Sequence, residues 1–268
     1  MLVSALLHAA WNTLLKREEN PRLASVPVVL VSAIVGTAIA LGTSGITAMS
    51  GRAWAWSFAA GVFEGTYFFT LGRALSLAPL GVVYTATRGG ALLLVWPLSV
   101  VLLGERVTPW GLAGTVLVLI GLAATSHEAT PMRLERRGLW FAAGCAVSIA
   151  GYHLSYKHAL LFGASPAMAI SVSMGLGVAG NFAVIDQRRA ALAMVPRATI
   201  LLAGVLCSVS FLAFLHALSR GGAGLMLTLR NTSVIFALLL SLVIGERPPR
   251  LRWIGAGLIA AGAFFLGA

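Results

Sequence analysis

An all-α integral membrane fold, ten transmembrane helices arranged as two inverted five-helix repeats, is predicted by three observations. The composition is too apolar for water, ten apolar runs have spanning length, and a set of motifs recurs 141 to 143 positions apart. Of the residues, 59% are hydrophobic and 10% charged, with a mean hydropathy of +0.92. A soluble chain carries roughly 25% charged residues, because its exterior must meet water. The bilayer is the solvent that fits.

Crossing hydrocarbon as a helix takes about 20 mostly apolar residues. Apolar runs and their breakers place spans at 1–17, 24–43, 53–73, 80–103 and 109–126, then at 138–160, 165–185, 198–219, 222–244 and 251–268. The first run lacks the basic start of a signal peptide, and Trp11, Asn12 and Lys16 fit a retained helix. The connections are short and marked by Gly, Pro or charge, as in Gly104-Glu105-Arg106 and Gly245-Glu246-Arg247-Pro248-Pro249. The longest polar stretch, Thr125 to Arg137, divides the chain into a first repeat (1–126), a linker (127–137) and a second repeat (138–268).

The halves share motifs in the same order. Leu103-Gly104-Glu105-Arg106 recurs as Ile244-Gly245-Glu246-Arg247, and the stretch Trp11 to Lys16 faces Tyr152 to Lys157, both at an offset of 141. Ala74-Leu75-Ser76 recurs as Ala217-Leu218-Ser219, and Trp110, Ala113 and Gly114 as Trp253, Ala256 and Gly257, both at 143. Four ordered matches argue for duplication. Five helices per copy is an odd number, so the second copy enters the membrane inverted, as in many secondary transporters.

The net charge of +11 sits mostly between apolar runs, where it meets lipid headgroups and orients helices. No segment builds the basic surface that nucleic acid needs. Lys16, Arg17 and Arg22 lie on the same predicted face as Arg188, Arg189 and Arg197. By the positive-inside rule that face is cytoplasmic, which puts both termini outside. Cys145 and Cys207 lie inside apolar runs and read as buried thiols, not a disulfide framework. No cluster has metal-ligand spacing, and no cofactor is implied.

His8-Ala9-Ala10-Trp11-Asn12 with Lys16, the doubled Gly-Glu-Arg and the doubled five-helix unit resemble the drug/metabolite transporter superfamily, EamA-like branch, over essentially the whole chain. The resemblance implies a ten-helix inverted repeat around a central cavity, and export or exchange of metabolites, amino acids or drugs. It also implies cytoplasmic termini, opposite to the charge count. Small multidrug members carry an acid in their first helix. Here that helix has His8 and Asn12, so their proton coupling does not carry over.

Ionisable residues at membrane depth need a partner, water or a purpose. Glu64, with Tyr67 and Phe68 on its helical face, is the candidate for proton coupling or for binding a cationic group; an ion pair with Arg88 or Arg73 is the structural alternative. Arg88, one turn after Tyr84, and Arg230, before Asn231, occupy matching regions and are candidates for a carboxylate or phosphate, or else reach an interface. Asn12, Trp11 and His153 are candidate cavity residues, with interhelical hydrogen bonding as the plainer alternative. Lys16 and Lys157 are expected to reach headgroups. Glu105/Arg106 and Glu246/Arg247 read as a doubled structural cap or gate salt bridge.

The reading is therefore a secondary transporter of amino acids or similar zwitterions, or of drugs, in the plasma (inner) membrane. Its partners would be a small-molecule substrate, lipid and a coupling proton, with a homo-oligomer compatible. No nucleotide-binding motif is present. The rival readings are a membrane-embedded enzyme, which lacks a nucleophile–base pattern, and a non-transporting receptor or assembly protein. Neither rival needs pseudo-symmetry.

Overall fold

A computed structural model of the chain describes residues 1–43, 49–78, 80–126, 135–243, 245 and 247–267. Every regular element among them is helical. In chain order these are α1 (Leu2–Lys16), α2 (Pro21–Thr43), α3 (Gly51–Leu77), α4 (Leu80–Tyr84), a π-helical turn (Thr85–Gly89), α5 (Gly90–Leu103) and α6 (Pro109–Thr125). They continue as α7 (Arg136–Leu161), α8 (Pro166–Val184), α9 (Arg188–Ala193), α10 (Ala198–Arg220), α11 (Ala223–Arg230), α12 (Ser233–Val243) and α13 (Arg250–Gly267). Each apolar run read from the sequence is helical, and α9 is an extra short helix. Five helical stretches are long and apolar enough to cross a membrane: Leu23–Thr43, Val82–Leu103, Pro166–Val184, Ala198–Arg220 and Ala223–Val243. The shorter Pro109–Thr125 is also apolar. The chain is a multi-pass, all-α integral membrane protein.

Two helices expected to run unbroken do not. The run at 80–103 widens into the π turn that ends at Gly89, where two poor helix formers, Gly89 and Gly90, adjoin. The run at 222–244 breaks at Asn231-Thr232. There the backbone amides of Asn231 and Thr232 bond the carbonyls of Thr228 and Leu229, three residues back instead of four. The Asn231 side chain donates to the Leu227 carbonyl at 3.1 Å and the Thr232 hydroxyl to the Leu229 carbonyl at 2.7 Å. Such side-chain bonds compete with the regular ladder.

The chain forms two compact units, each taking segments from both halves of the sequence. The first comprises Val3–Gly65 and Gly151–Arg220. In it α2 packs on α8 and α10. A Cβ on Gly36 would meet Ile170 at 3.0 Å, and Ala40 clusters with Ala167 and Met168, so α2 and α8 run antiparallel. Ser4 and Ser210 each donate to the other's backbone carbonyl, at 2.8 and 2.9 Å, tying α1 to α10.

The second unit comprises Thr66–Ala150 and Gly221–Ala268. Its tightest contact is α6 on α13. A Cβ on Gly114 would lie 2.6 Å from the Gly262 carbonyl, and one on Gly121 2.6 Å from the Gly255 carbonyl. These pairs are also antiparallel. Glycine at each site lets the backbones touch, which is how helices gain dispersion contact in lipid. α5 packs against α11, again antiparallel: Trp96 Nε1 donates to Thr228 Oγ1 at 3.2 Å, and Glu105 just past α5 meets Ala223 at the start of α11.

Gly121→Val should lower the apparent Tm in detergent through overpacking, at a cost of about 1–3 kcal/mol. Gly257→Ala, whose Cβ would meet nothing within 4 Å, should leave Tm unchanged or slightly raised. Equal effects from the two would refute the α6–α13 contact.

Candidate functional site

Each unit holds a group of polar residues inside its helices. In the first unit, Glu64 on α3 is buried at 3% exposure. Its Oε1 accepts a hydrogen bond from the Tyr156 hydroxyl of α7 at 2.9 Å, and that hydroxyl also contacts Ser173 Oγ of α8. Three helices thus bring one polar group each to a common point. The partner given to the acid is a tyrosine, where the sequence offered Arg88 or Arg73; Arg73 instead lies over the Phe69 ring, 5.8 Å from its centroid.

His153 is buried beside Tyr152 and Phe214, with ring centroids 4.6 and 5.0 Å away. Trp11 is buried edge-on to His8 at 5.4 Å, and its indole Nε1 has no hydrogen-bond acceptor among the described residues. Asn12 is half-buried and turns its amide back to the His8 carbonyl at 2.7 Å. Lys16 is exposed. The Lys157 amine donates to the Leu218 carbonyl at 2.9 Å, near the end of α10. His216 contacts Arg220 one turn on.

The second unit holds the two interrupted helices, and their interruptions meet. Arg88 sits in the π turn and is half-buried. Its Nη1 donates to Ser233 Oγ at 3.2 Å and lies 3.5 Å from Asn231 Oδ1. The guanidinium carbon is 5.3 Å from the centroid of Tyr84, a cation–π distance. Cys145 of α7 lies beside the Thr70 hydroxyl of α3 and within electrostatic reach of Arg88. Arg230 ends α11 and is buried at 5% exposure. Tyr67 is half-buried with Phe68 edge-on at 5.1 Å, and both belong to this unit although Glu64, on the same helix, belongs to the other.

Glu105 acts as a helix cap. Gly104 turns the chain in the left-handed region (φ 65°), and the Glu105 carboxylate then accepts the backbone amides of Ala223 at 2.5 Å and Gly224 at 3.4 Å. Those are the first amides of α11, which have no partner within the helix and favour a negative charge. A Cβ on Gly222 would lie 2.8 Å from the carboxylate, so glycine is needed there. Arg106 and Arg247 are exposed. Glu246 lies outside the described residues, while Gly245 before it shares the left-handed turn (φ 85°).

Sequence reasoning missed Tyr156, Ser173, Ser233 and the Trp96–Thr228 bond. Tyr156 was within reach, because it stands one turn after Tyr152 on a polar stripe. The partners of Arg88 were not, since ordinary Asn and Ser residues distant in the chain carry no local signal.

Residues 136–268 match the model of the EamA-like transporter family. A crystal structure of another protein superposes with a TM-score of 0.76 at 20% identity, covering 98% of this chain and 93% of that one. No curated protein sequence matches the chain.

Glu105→Ala should lower the apparent Tm, a lost cap costing about 0.5–2 kcal/mol, and should speed hydrogen exchange at Ala223 and Gly224. Unchanged exchange at those two amides would remove the cap.

Proposed function

Given that the chain belongs to the EamA-like transporter family, matched over residues 136–268, we propose that it is a secondary transporter moving small metabolites across the plasma (inner) membrane by alternating access, as an exporter or exchanger. The observation that carries this reading is the meeting of two interrupted helices. Broken helices at membrane depth are tolerated only where protein or a water-filled cavity satisfies the freed backbone, and transporters place substrate there.

The interruptions fall at matching places. Arg88 and Asn231 are 143 positions apart, the offset at which Ala74-Leu75-Ser76 and Trp110 recur. A residue touching its own repeat mate sits on the axis that relates the repeats. Alternating access by exchange of two inverted halves needs its site on that axis, the one line the exchange leaves in place. The antiparallel packing of α2 on α8 and of α6 on α13 supports inversion too, since each is a pair of repeat mates. On this reading the repeats are 1–126 and 138–268, ten helices in all, and amino acids or similar zwitterions fit a site holding a guanidinium beside neutral hydrogen-bonding groups.

Glu64 is the proposed proton-coupling residue. The hydrogen bond from Tyr156 supports it, because a donor that can hold the ionised acid lets the site lose and regain a proton without leaving a bare charge in the membrane.

Purified protein in liposomes should show saturable efflux of amino acids, with counterflow by the same class. Absence of flux from correctly inserted protein across amino acids, nucleobases and organic cations would refute transport. Glu64→Gln should abolish the response of flux to a pH gradient, and a full wild-type pH profile in that variant would end the proton role. A reporter fused to the C-terminus decides between outside termini and the cytoplasmic termini that the family resemblance implies.

A further inference from the structure

We infer that the paired helix interruptions of the second unit hold a substrate carboxylate on the Arg88 guanidinium, so that the transported molecule is a monoanion or a zwitterion with a free carboxylate. This rests on the transport reading above and names the chemistry that its site selects.

The case begins with an uncompensated charge. Arg88 is half-buried in a helix that crosses hydrocarbon, and its hydrogen-bond partners are the neutral oxygens of Ser233 and Asn231 at 3.2 and 3.5 Å. No carboxylate among the described residues bonds it. A guanidinium cannot shed its proton there, so the site lacks one negative charge. Both hydrogen bonds use Nη1, while a guanidinium has five N–H donors in a planar fork. The remaining edge matches the two oxygens of a carboxylate in bidentate geometry. The Tyr84 ring, 5.3 Å from the guanidinium carbon, adds a cation–π contact and no charge.

The charge count selects among anions. One guanidinium with neutral neighbours balances one negative charge, whereas a phosphate monoester brings nearly two. Arg230, the next cation along the interruption, is buried and already has partners of its own. The neutral side chains of Asn231 and Ser233, both at Arg88, suit the polar remainder of a small molecule.

The test uses the full-length protein in detergent and reads ligand-induced shifts of thermal unfolding. The probes are the proteinogenic amino acids and short aliphatic monocarboxylates, each beside its carboxamide, together with simple phosphate monoesters. Free acids should raise Tm and the matching carboxamides should not. Arg88→Gln should weaken binding of the acids roughly tenfold to a hundredfold, the size expected for a lost charge-assisted pair, and Arg88→Lys should fall between. Asn231→Asp guards against a variant that simply fails to fold. It is isosteric and places a carboxylate beside Arg88, so it should keep or raise the unliganded Tm while abolishing the response to acids.

Equal shifts by acids and carboxamides, no shift by any acid, tighter binding of phosphate monoesters, or acid binding intact in both Arg88→Gln and Asn231→Asp would each overturn the inference. Flux separates it from the transport reading. Flux of a carboxamide or an organic cation undiminished in Arg88→Gln keeps transport and removes the carboxylate anchor. Acids that bind through Arg88 but never cross the bilayer keep the anchor and remove transport.

Discussion

Backbone hydrogen bonding without water governs this structure. In hydrocarbon each amide and carbonyl must find its partner within the protein, so the apolar runs of this chain are helical. Departures from regular helix are then informative. Among the described residues two occur inside the long apolar runs, the π turn at Thr85–Gly89 and the break at Asn231-Thr232, and Arg88 of the first reaches Asn231 of the second. One ladder loosens to a wider turn and the other tightens to a narrower one. Both need polar neighbours, and both find them in the residues that surround Arg88.

Packing follows from the same solvent. Lipid tails offer no hydrophobic drive between helices, so close contact must come from shape. The glycine pairs of α6 and α13 bring backbones together without side chains between them, and Gly204 of α10 makes room for the Val31 side chain of α2. The Glu105 cap serves a different need. An interrupted helix has more exposed ends than a continuous one, and α11 begins with amides that would otherwise go unsatisfied. A carboxylate from the end of α5 meets them, so the far end of one interrupted helix secures the start of the other.

Much of the candidate site was legible in outline. Glu64, Arg88, Arg230 and His153 stand out because a charged or ionisable residue in an apolar run is costly and therefore conspicuous. Glu105 stands out because its motif is doubled. What those residues touch was not legible. The sequence offered Glu64 an arginine, and folding brings it Tyr156. Nor was the Leu218 carbonyl legible as the acceptor of the Lys157 amine. Arg88 rests on Asn231 and Ser233, neither of which differs locally from dozens of other polar residues.

Composition and apolar periodicity were enough to determine the membrane solvent, the helical class and the positions of the helices to within about a turn. These depend on composition and on one-dimensional periodicity, which survive without knowledge of neighbours. Tertiary structure alone decided where the helices break, how the chain divides into units that each draw on both halves, and which polar groups face one another. Those outcomes depend on contacts between residues more than a hundred positions apart, such as Arg88 with Asn231 and Glu105 with Ala223. No local pattern encodes such contacts, because the energy that selects them exists only once both partners have been brought together.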